Sequence, residues 1–351
     1  MPRILLLFAV LASAACARSN SATEPSVRLI PAPKLVMPHE VDCNSPAFKV
    51  DGMLYLFNSA GHPFRSSGRS ISEMGAAQRC GYDNKTAGGR WIEAVWPDET
   101  GRIYGWYHFE PTGIVPGTTL TAPKIGAVRS DDKGLTWHDL GIVLEARPGT
   151  LKPQAQNGYF AGGHGDFSVM LDPSRQWLCF FYGNYAGDLS EQGVAVARMR
   201  WSDRNAPAGK VLKWHRGSFS EAGLGGRLTP VFPTAVAWER ADCDSFWGPS
   251  VHWNTHLNCY VMLLNRARGK GWVQEGIYVS FSADLHDPLS WTAPRKILNG
   301  GQWYPQVMGL GTGENCTDKL AGRVARFFMK GVSEYEIIFS RQDAATQPSG
   351  R

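Results

Sequence analysis

The chain has 351 residues and a formal charge of +5, and its basic residues are scattered instead of gathered into a run or a strip interleaved with aromatics. That balance argues against nucleic acid as a partner. Gly 39 and Pro 22 punctuate the chain throughout, and no long stretch carries helical periodicity, which excludes an α-rich domain and leaves short strands joined by turns.

The first residues read as an export leader. Met1-Pro2-Arg3 gives a short positive start, Ile4 to Ala12 an apolar stretch too short for a permanent membrane helix, and Ala12-Ser13-Ala14 a small-residue cleavage site. Cys16 follows Ser13-Ala14-Ala15, close to a bacterial lipobox but with Ser where Leu is usual. The expectation is a leader over residues 1–16 and a secreted, periplasmic or cell-surface protein, with membrane attachment through a lipid on Cys16 left open. Residues 17–34 then read as a polar tether, 35–342 as a single domain and 343–351 as a polar tail. In an exported chain the six further cysteines, Cys43, Cys80, Cys179, Cys243, Cys259 and Cys316, suggest a disulfide. Cys179 and Cys259, however, lie in apolar strand contexts that suit small core residues. No Cys/His spacing suggests zinc, and no metal ligand set is legible.

From Asp42 onward one pattern returns five times: an acid- or aromatic-bearing strand, a turn, and a second apolar strand. The copies begin at Asp42, Arg90, His164, Phe246 and Trp303, about 48, 74, 82 and 57 residues apart, within or above the range of propeller blades with inserted loops. A single hairpin cannot bury both faces, whereas five small sheets packed radially can. The fold expected is an all-β, five-bladed β-propeller whose blades are small antiparallel sheets. Lys124–Trp137, Val194–Trp201 and Gly276–Ser282 alternate as third strands should. The long inserts Ser66–Gly89, Glu145–Gly163 and Asn205–Ala241 are expected to wall one face. Ser130-Asp131-Asp132-Lys133-Gly134-Leu135-Thr136-Trp137 matches a sialidase Asp-box, with a looser version from Ser280 to Trp291. Such turns sit on the outer rim and bear on fold, not chemistry.

Chemistry is sought on the first strand of each unit, because those strands converge on the axis. They carry Asp42, Glu93 and Asp166 in the first three blades, and Trp247-Gly248-Pro249 and Trp303-Tyr304-Pro305-Gln306 in the last two. Acids on successive inner strands with aromatics on the others are what glycosidic cleavage asks for. One carboxyl protonates the leaving oxygen, another activates water or attacks the anomeric carbon, and a third tunes their pKa values. The aromatic faces would stack on a sugar ring. His62 and Arg65 leave the first hairpin, His108 and Glu110 end the second, and His164 lies two residues before Asp166. These, with Trp247, Trp303, Tyr304 and Gln306, form the expected substrate-binding set. Asp242 and Asp244 are a reserve acid pair. A bland reading stands beside each acid: Asp42 as a turn cap, Glu93 as a polar rim position, Asp166 as an ordinary loop residue.

On Asp42 with Leu54-Tyr55-Leu56-Phe57, the Gly165-Asp166-Phe167-Ser168 strand, the Gly248-Pro249 strand and the Ser280–Trp291 turn, the chain resembles the five-bladed propeller glycosidases. That group contains arabinanases, xylosidases, invertases and anhydro-galactosidases, and the resemblance covers most of residues 35–340. It implies an exported glycoside hydrolase, a monomer, acting on a poly- or oligosaccharide without a redox cofactor, and it allows a structural calcium ion in the channel. By position Asp42 would be base or nucleophile, Glu93 the modulator and Asp166 the acid. Glu and Asp are exchanged in blades two and three relative to the group, so Glu93 or His164 remain alternative donors. Two other readings are a non-catalytic glycan-binding propeller and a sialidase-like exo-glycosidase; the latter needs three arginines gripping one carboxylate, and no such trio is evident.

Overall fold

The structure is a computed structural model, and it describes residues 24–311 and 316–342. The leader with Cys16, the first part of the proposed tether and the tail at 343–351 lie outside the described residues.

Five antiparallel sheets follow one another along the chain. Their innermost strands are Ala47–Val50, Gly89–Pro97, His164–Leu171, Asp244–Asn254 and Gln306–Gly309, and neighbouring members of this set lie against one another around the axis. Each blade then meanders outward; blade three, for example, runs through Trp177–Asn184, Gly193–Arg200, Leu212–His215 and Ser218–Ala222. The expected third strands are present as Lys124–Ser130, Gly193–Arg200 and Gln274–Ser282.

Strand periodicity explains the radial packing. Along Trp177–Asn184, Leu178, Phe180 and Tyr182 point toward blade two, where they meet Trp106 and Ile125. The alternate residues Cys179 and Phe181 point toward blade four and meet Met262 and Trp291. Each inter-blade gap has its own apolar cluster, the other three centred on Val261 with Phe327, on Phe57 with Trp137, and on Leu56 with Phe328. A period of two therefore supplies both neighbours of every blade from one strand.

Three expectations change. Residues 24–34, read as tether, belong to the strand Glu24–Val36, which pairs antiparallel with Val332–Gln342 as the outermost strand of blade five. This strand thus completes the last blade and ties the start of the propeller to its end. The Asn205–Ala241 insert is only partly loop, since Leu212–His215 and Ser218–Ala222 form the outer hairpin of blade three. The expected disulfide is not formed among Cys43, Cys80, Cys179, Cys243 and Cys259, which are buried and unbridged. Cys179, Cys259 and Cys80 lie in three different inter-blade clusters, too dispersed to pair with one another.

Candidate active site

Tight hairpin turns end the inner strand of blade one and join the next two strands of blade five. Asp51-Gly52 and Lys330-Gly331 both have positive φ at their two central residues, as tight antiparallel hairpins require. The first returns blade one outward, and residues 42–45 enter above it on the axis. Asn44 Nδ2 donates to the carbonyls of Phe167 at 2.9 Å and Pro249 at 3.0 Å, tying blade one to blades three and four. Ser45 exchanges two hydrogen bonds with Gln306, whose Oε1 accepts the Ser45 amide at 2.6 Å and whose Nε2 donates to its carbonyl at 3.0 Å. This polar knot plugs the channel and makes the floor of the site.

Above the floor the three acids come together, and β-bulges help to do it. The pairing register slips between Ile92 and Ala94, between Gly165 and Phe167, and between Trp247 and Ser250. Glu93 and Asp166 are thus the extra residues of their strands, and Asp166 holds a left-handed φ of 47°. A bulge re-aims one side chain out of the alternation. Glu93 Oε2 accepts the Phe167 amide at 2.8 Å, which joins blade two to blade three. Ligand atoms of Glu93, His108 and Asp166 lie within 4.8 Å of one another.

Burial sets the electrostatics. Glu93 and Asp166 are 2% and 3% exposed, whereas Asp42 is half-buried. Burial pushes the Glu93 carboxyl up to about 7. It raises Asp166 as well, while Tyr185 and Tyr304 donate hydroxyls to that carboxylate and oppose the rise. Asp42 is pushed up to about 6, by burial first and then by the charge of Asp166. His108 joins the acids: Nδ1 is 3.2 Å from Glu93 Oε1 and Nε2 is 3.2 Å from Glu110 Oε1. Burial, the largest single influence on the ring, disfavours an imidazolium, but Glu110, Glu93 and Asp166 together outweigh it. The Asp166 amide, however, aims its hydrogen at Nδ1 from 3.1 Å. A nitrogen that accepts that bond carries no proton, which leaves the ring hydrogen on Nε2, facing Glu110.

An aromatic cluster backs the acids: Phe160, Tyr185, Trp238, Trp247, Trp272 and Tyr304, with Trp303 packed against it. Trp247 and Trp303 lie beside Tyr304, but Trp247 is fully buried and presents no face to a sugar ring. Four other expected binding residues are engaged elsewhere. Arg65 donates to the carbonyls of Asp132 and Lys133 at the rim turn. His62 contacts the Cys80 carbonyl at 2.8 Å and packs edge-on to Tyr82. His164 is buried against Tyr182 and held well below its ordinary pKa, by burial and then by Lys213. Gln306 has both amide atoms on Ser45. Of the reserve pair, Asp242 pairs with Arg240 and Asp244 with Arg266. The rim turn itself is built by Asp132, which accepts the Leu135 and Thr136 amides, both at 2.9 Å.

Sequence reasoning missed Tyr185, Trp238, Trp272 and the anchoring role of Asn44. Tyr185 directly follows the second strand of blade three, much as His108 and Glu110 end that of blade two. Strand-end polar residues were the available signal. As for calcium, the acid cluster offers two carboxylates and an imidazole, against the roughly six to eight oxygens that ion takes. The Nδ1 lone pair is already filled by an amide. The cluster is a poor calcium cage, and the chemistry below uses none.

No protein-family model matches the chain, and no curated protein matches it in sequence. Solved structures do. A Bifidobacterium bifidum protein with a provisional exo-β-1,3-galactanase name superposes with TM-score 0.51 at 11% identity, over 91% of this chain and 97% of that one. The likeness is one of fold. It bears out the five-bladed propeller read from the repeats. Looser superpositions include the catalytic domain of a Coprinopsis cinerea GH62 α-L-arabinofuranosidase (TM-score 0.49, 10% identity, 93% and 99% coverage). Another is an endo-arabinase from Bacteroides thetaiotaomicron (TM-score 0.47, 13% identity, 91% and 100% coverage).

Proposed function

We propose that the protein is an exported glycoside hydrolase that cleaves a poly- or oligosaccharide by carboxylate acid/base catalysis. The observation that carries this reading is the convergence of Asp42, Glu93 and Asp166, from three separate blades, on one aromatic-backed site at the axis. Asp42 is the member open to a substrate, and a carboxyl held at about 6 is suited to donate a proton near neutrality. Glu93 and Asp166 lie beneath it, and the charge of Asp166 raises Asp42. Trp303 and Tyr159, partly exposed at the aromatic cluster, supply faces for a sugar ring. The leader read at residues 1–16 supports export, with Cys16 as the candidate lipid site.

Asp42→Asn and Asp166→Asn test it against a polysaccharide panel scored for released reducing sugar. Each substitution keeps the side-chain shape, and Asn tolerates the left-handed backbone at position 166. Both variants should keep a near-wild-type denaturation midpoint and lose turnover by at least about 100-fold. Full turnover in both would discard the acid assignment. The burial of two of the three acids favours one rival, a propeller that binds glycan without cutting it. Glycan binding with no released sugar across the panel would decide for that rival.

A further inference from the structure

A carboxylate that acts on a glycosidic bond must come within hydrogen-bond reach of it or of the attacking water. Glu93 and Asp166 are closed off: an amide and an imidazole hold the one, two tyrosine hydroxyls the other. Asp42 is open but single, and glycoside hydrolysis uses two carboxylates. Glu110 fills the gap. It ends the strand Ile103–Glu110, paired with Gly89 at the start of the blade-two inner strand. Its side chain keeps 30% of its surface in solvent while Oε1 lies 3.2 Å from His108 Nε2. The imidazole is pinned at its other nitrogen by the Asp166 amide and Glu93, and its Trp91-facing side packs at 5.4 Å between ring centroids. The anchored imidazole thus holds one oxygen of a carboxylate that still faces solvent, and a general base has to be positioned in this way.

We propose that Glu110 is the second reacting carboxylate, a general base paired with Asp42 as general acid, and that His108 positions it. The inference rests on the hydrolase reading. Asp42 gives its proton to the glycosidic oxygen as the bond to the anomeric carbon breaks, the electron pair leaving with that oxygen. Glu110 takes a proton from water, whose oxygen forms the new bond to the anomeric carbon. The products are two sugars, an ionised Asp42 and a protonated Glu110, and proton exchange with solvent restores both. The Asp42 amide donates to the Ser59 carbonyl at 2.8 Å and the Ser59 hydroxyl accepts the Ile92 amide at 3.1 Å, which ties Asp42 to the blade that carries Glu110. The charge of Glu110 bears on the Asp42 carboxyl.

The test uses the full-length protein and whichever 4-nitrophenyl glycoside and unactivated oligosaccharide the wild type cleaves. Glu110→Gln should lower kcat by about 100-fold or more on both substrates, with KM little changed. Asp42→Asn should instead spare the good nitrophenolate leaving group and lose the unactivated one. Glu110→Ala, which opens space, should regain turnover in added azide and yield a glycosyl azide. Glu110→Gln with wild-type turnover, or Glu110→Ala giving no azide product, overturns the role of Glu110 and leaves the hydrolase reading standing. A wild-type protein that releases no sugar from any substrate overturns the hydrolase reading itself.

Discussion

Replacing Glu93 by its amide isostere should make the protein more stable at neutral pH, because burial raises the Glu93 carboxyl. Glu93 is wholly buried and its carboxyl is held at about 7, against an ordinary 4.5. Its folded form therefore binds a proton that the unfolded chain releases, so stability falls as pH rises from about 4.5 to about 7 and levels off above. That difference corresponds to about 3 kcal/mol. Glu93→Gln copies the protonated acid, and its oxygen can accept the Phe167 amide as Glu93 Oε2 does. Chemical denaturation of both proteins across about pH 4.5 to pH 8 should give near-equal stabilities at the acid end. At the alkaline end the variant should be the more stable by about 3 kcal/mol. Parallel curves would refute the raised Glu93 carboxyl and the electrostatics drawn from it.

Two other substitutions separate structure from chemistry. Gln306→Leu strands the buried Ser45 amide and carbonyl, and should cost about 2–3 kcal/mol in a denaturant titration. A loss below about 0.5 kcal/mol would mean the channel plug contributes little. Arg65→Ala removes bonds to two carbonyls at the rim turn, so stability should drop by about 1 kcal/mol while kcat/KM stays within about twofold. A tenfold rise in KM would return Arg65 to the substrate cleft.

The acids were legible because inner strands recur, and a recurring strand puts its residue at the axis whatever surrounds it. Glu93 and Asp166 were read that way and lie on such strands, whereas Asp42, read the same way, sits in the irregular segment before Ala47–Val50; all three raised carboxyls lie where the blades meet. Arg65 and His62 were misplaced because following a hairpin says nothing about direction; the turn carries them outward to the Asp132 and Cys80 carbonyls. His164 and Asp166 are two residues apart, which in an unbroken strand puts both on one face. The bulge between them sends His164 to Tyr182 and Asp166 to Tyr185. No local pattern in HGDF announces that slip.

The five repeated hairpins and their turns follow from the amino-acid sequence alone, because a period of two and a turn dipeptide act over a few residues. Closure of the ring by Glu24–Val36 joins chain ends about 300 residues apart, and no local propensity encodes it. The same holds for chemistry: which carboxyl is open and which is sealed depends on amides and hydroxyls delivered by other blades. Only the folded ring sets Asp42 and Glu110 in solvent and drives Glu93 beneath them.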